Sequence, residues 1–196
     1  MTKFFRNPQQ FQMLEYFVIP DTLKKKTAKG DLCVRAWSAG CSTGEEAYSM
    51  AILFNELLPA GFSAEIWATD VSESALSAVA EGIYSKVRMN GIAPRFLSRY
   101  FDRIGNKCQI KNSIRTFIHT SLNDIRFDSG FNDIDIVFCR NVLIYLDEQA
   151  RLTALQNISK AMAISSYLIL GKSELHFGYA GEFDYIRTDW GTLFRK

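Results

Sequence analysis

Apolar residues fall at Phe11, Leu14, Phe17 and Val18 of "NPQQFQMLEYFVIP" (7–20), a spacing of three and four that predicts a helix stopped by Pro20. A short apolar run, "CVRAW" (33–37), predicts a strand. Glu45 to Leu58 predicts a helix closed by Pro59 and Gly61. "AEIWATD" (64–70) is a second strand with an acidic end. "SESALSAVAEG" (72–82) is a helix with Ser72 as N-cap and a C-terminal glycine. "PRFLSRYF" (94–101) gives a further short helix. The alternating stretch 101–122 carries Gly-Asn and Lys-Asn turn signals, so antiparallel strands are expected before a core strand "RTFIHT" (115–120). "DIDIVFCRNVLIYL" (133–146) holds a buried strand running into a turn, and 147–162 a helix capped by Asp147. "SYLILG" (166–171) is another strand, and 183–196 reads as two strands joined at Asp189–Gly191. Strand and helix alternate and a hairpin ends the chain. That order predicts one α/β domain over 1–196, a mostly parallel doubly wound sheet with an antiparallel C-terminal edge.

Composition narrows the classes. The 196 residues are 47% hydrophobic and 22% charged, ordinary for a globular domain. No apolar run approaches the ~20 residues of a membrane span, so no membrane insertion is expected. A net charge of +2 is too small for a nucleic-acid binder. The basic run "LKKKTAKG" (23–30) reads as a solvated loop. Cys33, Cys41, Cys108 and Cys139 are scattered without ligand spacing, and His119 and His176 form no cluster, so neither disulfides nor a metal site is expected. His119 reads as structural, His176 as at most a rim residue, and Trp37, Trp67 and Trp190 as core.

The chemistry concentrates in "RAWSAGCSTGEEAYSMAILFNE" (35–56), where a strand passes through small residues into a helix. In a doubly wound sheet such a loop lies beyond the carboxyl ends of the strands, where ligands bind. Ser42-x-x-Glu45 and Thr43-x-x-Glu46 also fit a capping box, and a capped helix needs no ligand. The spacing is not G-x-G-x-x-G, and two glutamates at the loop's end would repel pyrophosphate. Asp70 ends the next strand, where a carboxylate can accept both hydroxyls of a ribose. A nucleoside without phosphates and with a cationic end is S-adenosylmethionine.

"TKFFRN" (2–7), "WSAGCSTGEEAYSMA" (37–51), "ATD" (68–70), "SLND" (121–124) and "FCRNVLIYLD" (138–147) follow in that order, down to the closing "GTLFRK". Through these segments the chain resembles the CheR-type chemotaxis methyltransferases, S-adenosylmethionine-dependent protein-glutamate O-methyltransferases. The resemblance implies a seven-stranded Rossmann-like methyltransferase sheet with a small antiparallel β-subdomain inserted at about 101–115. It implies S-adenosylmethionine as methyl donor and S-adenosylhomocysteine as product. It also implies a methyl-accepting chemoreceptor as acceptor, and a monomer in the cytoplasm. Arg6 and Tyr145 are implied to flank the methyl group as catalytic residues. Glu45 would meet the methionine amino group or the nearby loop, and Asp70 the ribose. Asn123 would read the adenine edge beside Asp124, which replaces an apolar residue of the family pattern. Arg140 and Asn141 would close the site, and Thr2 would reach the methionine carboxylate. The family usually carries a helical domain ahead of the T-x-FFR segment. Here the expectation is a short N-terminus that can fray, and acceptor choice relaxed or supplied by a partner. The alternative class is a non-catalytic module that binds S-adenosylmethionine and docks a partner.

Overall fold

The computed structural model describes residues 2–175 and 183–196; His176 lies outside them. Seven strands form one sheet. In chain order they are β1 (Cys33–Ala39), β2 (Ser63–Asp70), β6 (Ile118–Leu122), β7 (Ile134–Cys139), β8 (Met162–Leu170), β9 (Asp184–Thr188) and β10 (Gly191–Arg195). Their spatial order is β6-β2-β1-β7-β8-β10-β9. The first five run parallel, and β10 pairs antiparallel with both β8 and β9. The sheet is therefore doubly wound with an antiparallel edge, and the strand order reverses at β1.

A second sheet of β3 (Ile83–Ser85), β4 (Phe101–Ile104) and β5 (Lys107–Ile110), ordered β3-β5-β4, forms the small antiparallel unit. Its first strand, β3, has three residues, too few to show a period. Between this unit and β6 lies a short helix, α6 (Asn112–Arg115). The core strand thus begins at Ile118, three residues later than the apolar pattern implies.

Pro20 does not stop the first helix. α1 (Pro8–Met13) passes through a π-helical turn, Leu14–Val18, into α2 (Ile19–Lys29). The widened turn bonds the Ile19 amide to the Leu14 carbonyl, and Pro20 then sits in the first turn of α2, where no N–H is needed. The lysine run is consequently helix, not loop. Lys26 is 5% exposed, and its ammonium lies 2.8 Å from both Asp31 and Asp135. Asp31 is held well below the usual carboxylate range by the Lys26 hydrogen bond, whereas burial pushes Asp135 up.

The cores lie on the two faces of the main sheet. One face gathers α1, α2 and α3 (Glu45–Leu57) around Leu14, Phe54, Ile66 and Phe138. The other packs α7 (Glu148–Ala161) onto Trp37, Val137 and Leu168. Trp37 is fully buried and donates to Thr69 Oγ1 at 2.9 Å; Trp190 is half-buried, packed against the first core and stacked on exposed Tyr16. His119, on the edge strand β6, lies over Trp67.

The N-terminal segment is anchored rather than frayed. Phe4 is 1% exposed and meets Tyr84 and Phe101 edge-on, while Phe5 packs on Phe11 and Phe96. The Phe5 amide donates to Ser49 Oγ at 2.9 Å.

Candidate functional site

A cavity of about 590 Å³ opens beyond the carboxyl ends of β1, β2, β6 and β7, the place the topology reserves for ligands. The loop after β1 forms one wall. Gly40 (φ 73°) and Cys41 both donate their amides to the Thr69 carbonyl at 2.8 Å, drawing the loop over β2. A Cβ on Gly40 would lie 2.4 Å from a Val142 methyl, so only glycine lets the β1 and β7 loops approach this closely.

Asp70 faces the cavity and latches the same loop, accepting the Ser42 amide at 2.8 Å and the Ser72 amide at 3.0 Å. A carboxylate holding two amides keeps lone pairs for ligand hydroxyls. Ser72 also caps α4 (Glu73–Glu81), accepting from Ala75.

The start of α3 differs from the capping-box reading. Gly44, with φ 88°, is the N-cap, and no side chain caps the helix. The two glutamates diverge. Glu45 is fully buried away from the cavity, paired with Arg88 and accepting the Thr43 hydroxyl at 2.7 Å. Glu46 lines the cavity, accepts the Ser38 hydroxyl at 2.7 Å and lies 3.4 Å from the Arg140 guanidinium. Of the two, Glu46 and not Glu45 faces the cavity: successive helical side chains point about 100° apart, and Arg88 and the nearby loop claim the first. Burial pushes the Glu46 carboxyl above its ordinary range, against the pull of Arg140 and Ser38.

Arg140, 6% exposed, connects the walls. It donates to the Arg6 carbonyl at 2.6 Å, pairs with Glu46, and lies near the Phe11 and Phe138 rings. The same burial lowers its pKa. Asn141 follows at φ 61°. Asp124 is bound by Arg126 across both carboxylate oxygens, and that bond keeps its carboxyl low.

Thr2, Arg6, Asp70, Asn123, Asp124, Arg140, Asn141 and Tyr145 thus line one cavity, from four separate stretches of chain. Glu45 does not. Glu46, Lys3, Ser42 and Val71 join them without having been singled out as site residues. Tyr145 is 81% exposed at the rim, not packed in the core as its apolar neighbours suggest. Among the described residues, four buried side-chain polar atoms lack a partner. Three of them, Asn123 Oδ1, Asn141 Oδ1 and Arg140 Nε, belong to residues lining this cavity. Orphaned polar atoms gathered at one cavity mark it as built for a polar ligand.

The family model described as "CheR methyltransferase, SAM binding domain" matches residues 1–192. The chain belongs to this CheR family. It is 33% identical over 204 aligned positions to chemotaxis protein methyltransferase 1 of Pseudomonas aeruginosa, covering 99% of this chain and 73% of that protein. It is 33% identical over 181 residues to the chemotaxis protein methyltransferase of Borreliella burgdorferi, covering 88% of this chain and 63% of that protein. An uncharacterized 104.1 kDa protein of Rhodobacter capsulatus is 37% identical over 177 residues, and the match spans 18% of its length. The cavity therefore lies in an S-adenosylmethionine-binding CheR domain, and the domain accounts for only part of the length of these relatives.

Proposed function

We propose that the domain transfers the methyl group of S-adenosylmethionine to a glutamate carboxylate of an acceptor protein, a chemoreceptor of the methyl-accepting kind, in the cytoplasm. The observation that carries this reading is one cavity combining acidic groups with an uncommitted cation. Glu46 and Asp70 line it, and so does Arg6, whose guanidinium has no ion-pair partner among the described residues. The donor set suits S-adenosylmethionine. Asp70 would accept from the ribose, Asn123 and Asn141 would present their orphaned oxygens to polar edges, and Glu46 would face positive charge. Of the four cations lining the cavity, Arg140 and Arg126 are already paired, with Glu46 and Asp124, which leaves Arg6 and Lys3.

When bound, S-adenosylmethionine supplies a methyl group already activated by the positive sulfur. The acceptor carboxylate is ionised at neutral pH, with a reference pKa near ~4.3, so no general base is needed. The residues' work is alignment and exclusion of water. Arg6 would hold the acceptor carboxylate and Tyr145, standing at the rim, would orient it. An acidic acceptor also suits the segment 83–115, which carries eight lysines and arginines against a single aspartate.

The test is incubation with methyl-labelled S-adenosylmethionine and a chemoreceptor cytoplasmic domain, followed by base hydrolysis. Base-labile label on glutamates is expected. Binding without any transfer would favour the non-catalytic docking module, and binding of NAD with none of S-adenosylmethionine would refute both.

A further inference from the structure

Glu174 lies outside the cavity wall, yet its fully buried carboxylate is tied to that wall more closely than any ligand-facing group. Oε2 accepts the amides of Gly171 and Asn141, each at 2.7 Å. Oε1 accepts those of Val142 and Leu143, each at 2.9 Å. Three successive amides of the loop after β7 thus converge on one side chain. The loop continues as a 3₁₀ turn, Leu143–Tyr145, which carries Tyr145 to the rim. From the other end Arg151 of α7 donates to the Leu143 and Leu146 carbonyls, at 3.4 and 2.9 Å. An anion gathers the turn's N–H groups and a cation its carbonyls. Asn141 is meanwhile held at φ 61°, a left-handed conformation that asparagine takes more readily than other non-glycine residues. Filling space would need only an apolar side chain; a buried carboxylate is tolerable because all four bonds are made.

We propose that Glu174 is a positioning residue for methyl transfer: it fixes the 141–145 turn so that Asn141 faces the cofactor and Tyr145 the acceptor. The Tyr145 half rests on the transferase reading above, and the Asn141 half requires only cofactor binding.

Glu174→Gln keeps the shape but replaces one acceptor oxygen by an amide nitrogen, which cannot accept. Amide exchange at residues 141–143 should quicken tenfold or more while the β1 amides stay protected. Affinity for S-adenosylhomocysteine should fall three- to tenfold, and the transfer rate at saturating cofactor tenfold or more. In a Tyr145→Phe background the same substitution should cost less than a further threefold, because both changes remove one contribution. Gly171→Ala serves as the second variant and decides the matter should Glu174→Gln fail to fold. Its φ of −62° suits alanine, and the new Cβ, 2.4 Å from Glu174 Oε2 and 3.1 Å from the Asn141 amide nitrogen, displaces the carboxylate and crowds the amide it holds without removing charge. The same pattern is expected of it. Rate losses that multiply fully with Tyr145→Phe, exchange that quickens throughout the sheet, or unchanged affinity and rate despite faster exchange at 141–143 would each overturn the proposal. If the unaltered chain binds cofactor but methylates no carboxylate, the transferase reading fails alone. The exchange and affinity measurements then still decide whether Glu174 sets Asn141: a selective loss upholds that role and unchanged affinity refutes it.

Discussion

Replacing Glu46 by glutamine keeps the side chain's shape and removes one negative charge from the cavity. Two unit charges 4 Å apart attract by about 4 kcal/mol at an effective dielectric of ~20. Arg140, 3.4 Å from the carboxylate, already takes part of that field, and burial disfavours the ionised form. What remains for a bound cation is near one charge-assisted hydrogen bond, about 1.5–3 kcal/mol. Glu46→Gln should therefore weaken S-adenosylmethionine binding roughly tenfold to a hundredfold. Glu45→Gln, one residue earlier, should leave affinity within about threefold while costing stability, since it breaks a buried pair with Arg88, by about 2–3 kcal/mol. Calorimetry of both variants, with urea unfolding of each ligand-free chain, makes the comparison. S-adenosylhomocysteine refines it, because it keeps the amino group and lacks the sulfonium charge. An equal loss for both ligands places Glu46 at the amino group, and a loss confined to S-adenosylmethionine places it at sulfur. Lost affinity in Glu45→Gln with normal binding by Glu46→Gln would refute the reasoning.

Arg6→Ala and Tyr145→Phe should each slow transfer by tens- to hundredsfold, roughly 2–3 kcal/mol of barrier, with little change in cofactor affinity; normal initial rates in either variant would remove its assigned role. Lys26→Met should destabilise the fold by about 3 kcal/mol, since it strands the buried Asp135 carboxylate; an unfolding free energy within about 1 kcal/mol of the parent would show the lysine to be a surface residue after all. The raised pKa of Glu46 gives the ligand-free chain stability that is complete below the unfolded-state value, ~4.3, and is lost as pH rises through the folded value. Affinity for the cationic cofactor should climb over that same interval, and parallel pH titrations of melting and binding would expose any other order.

Most of the site was legible because topology and residue type agree at strand ends. Asp70 ends β2, next to the strand where the order reverses, Asn123 follows the end of parallel β6, and the cavity opens over these strand ends. The choice between Glu45 and Glu46 was not legible. α3 is buried nearly all round, from Ala47 through Phe54, so it shows no polar face from which to phase its first turn. The deciding partner, Arg88, comes from a 3₁₀ turn after β3 that no pattern marks. Lys26 was misread for a related reason. Its run looks solvated, and Asp135, brought alongside at the start of β7, joins Asp31 in making a buried ammonium tolerable. Pro20 shows the limit of a local rule: a π turn just before it absorbs the missing donor.

The charges around the cavity also favour Arg6, rather than the more deeply placed Arg140, for the proposed contact with the acceptor. Arg140 is committed within the protein, to Glu46 and to the Arg6 carbonyl. Those contacts fix the backbone at Arg6 from one side, while Phe4 and Phe5, wedged against Tyr84, Phe101, Phe11 and Phe96, fix it from the other. One buried arginine thus serves to hold a second whose own guanidinium is uncommitted. Methyl transfer from a sulfonium to a carboxylate destroys one charge of each sign. A site that offers acidic groups to the first and a fixed cation to the second can gather both reactants. Because the products carry neither charge, the attraction that assembles them weakens once transfer is complete, which favours their release.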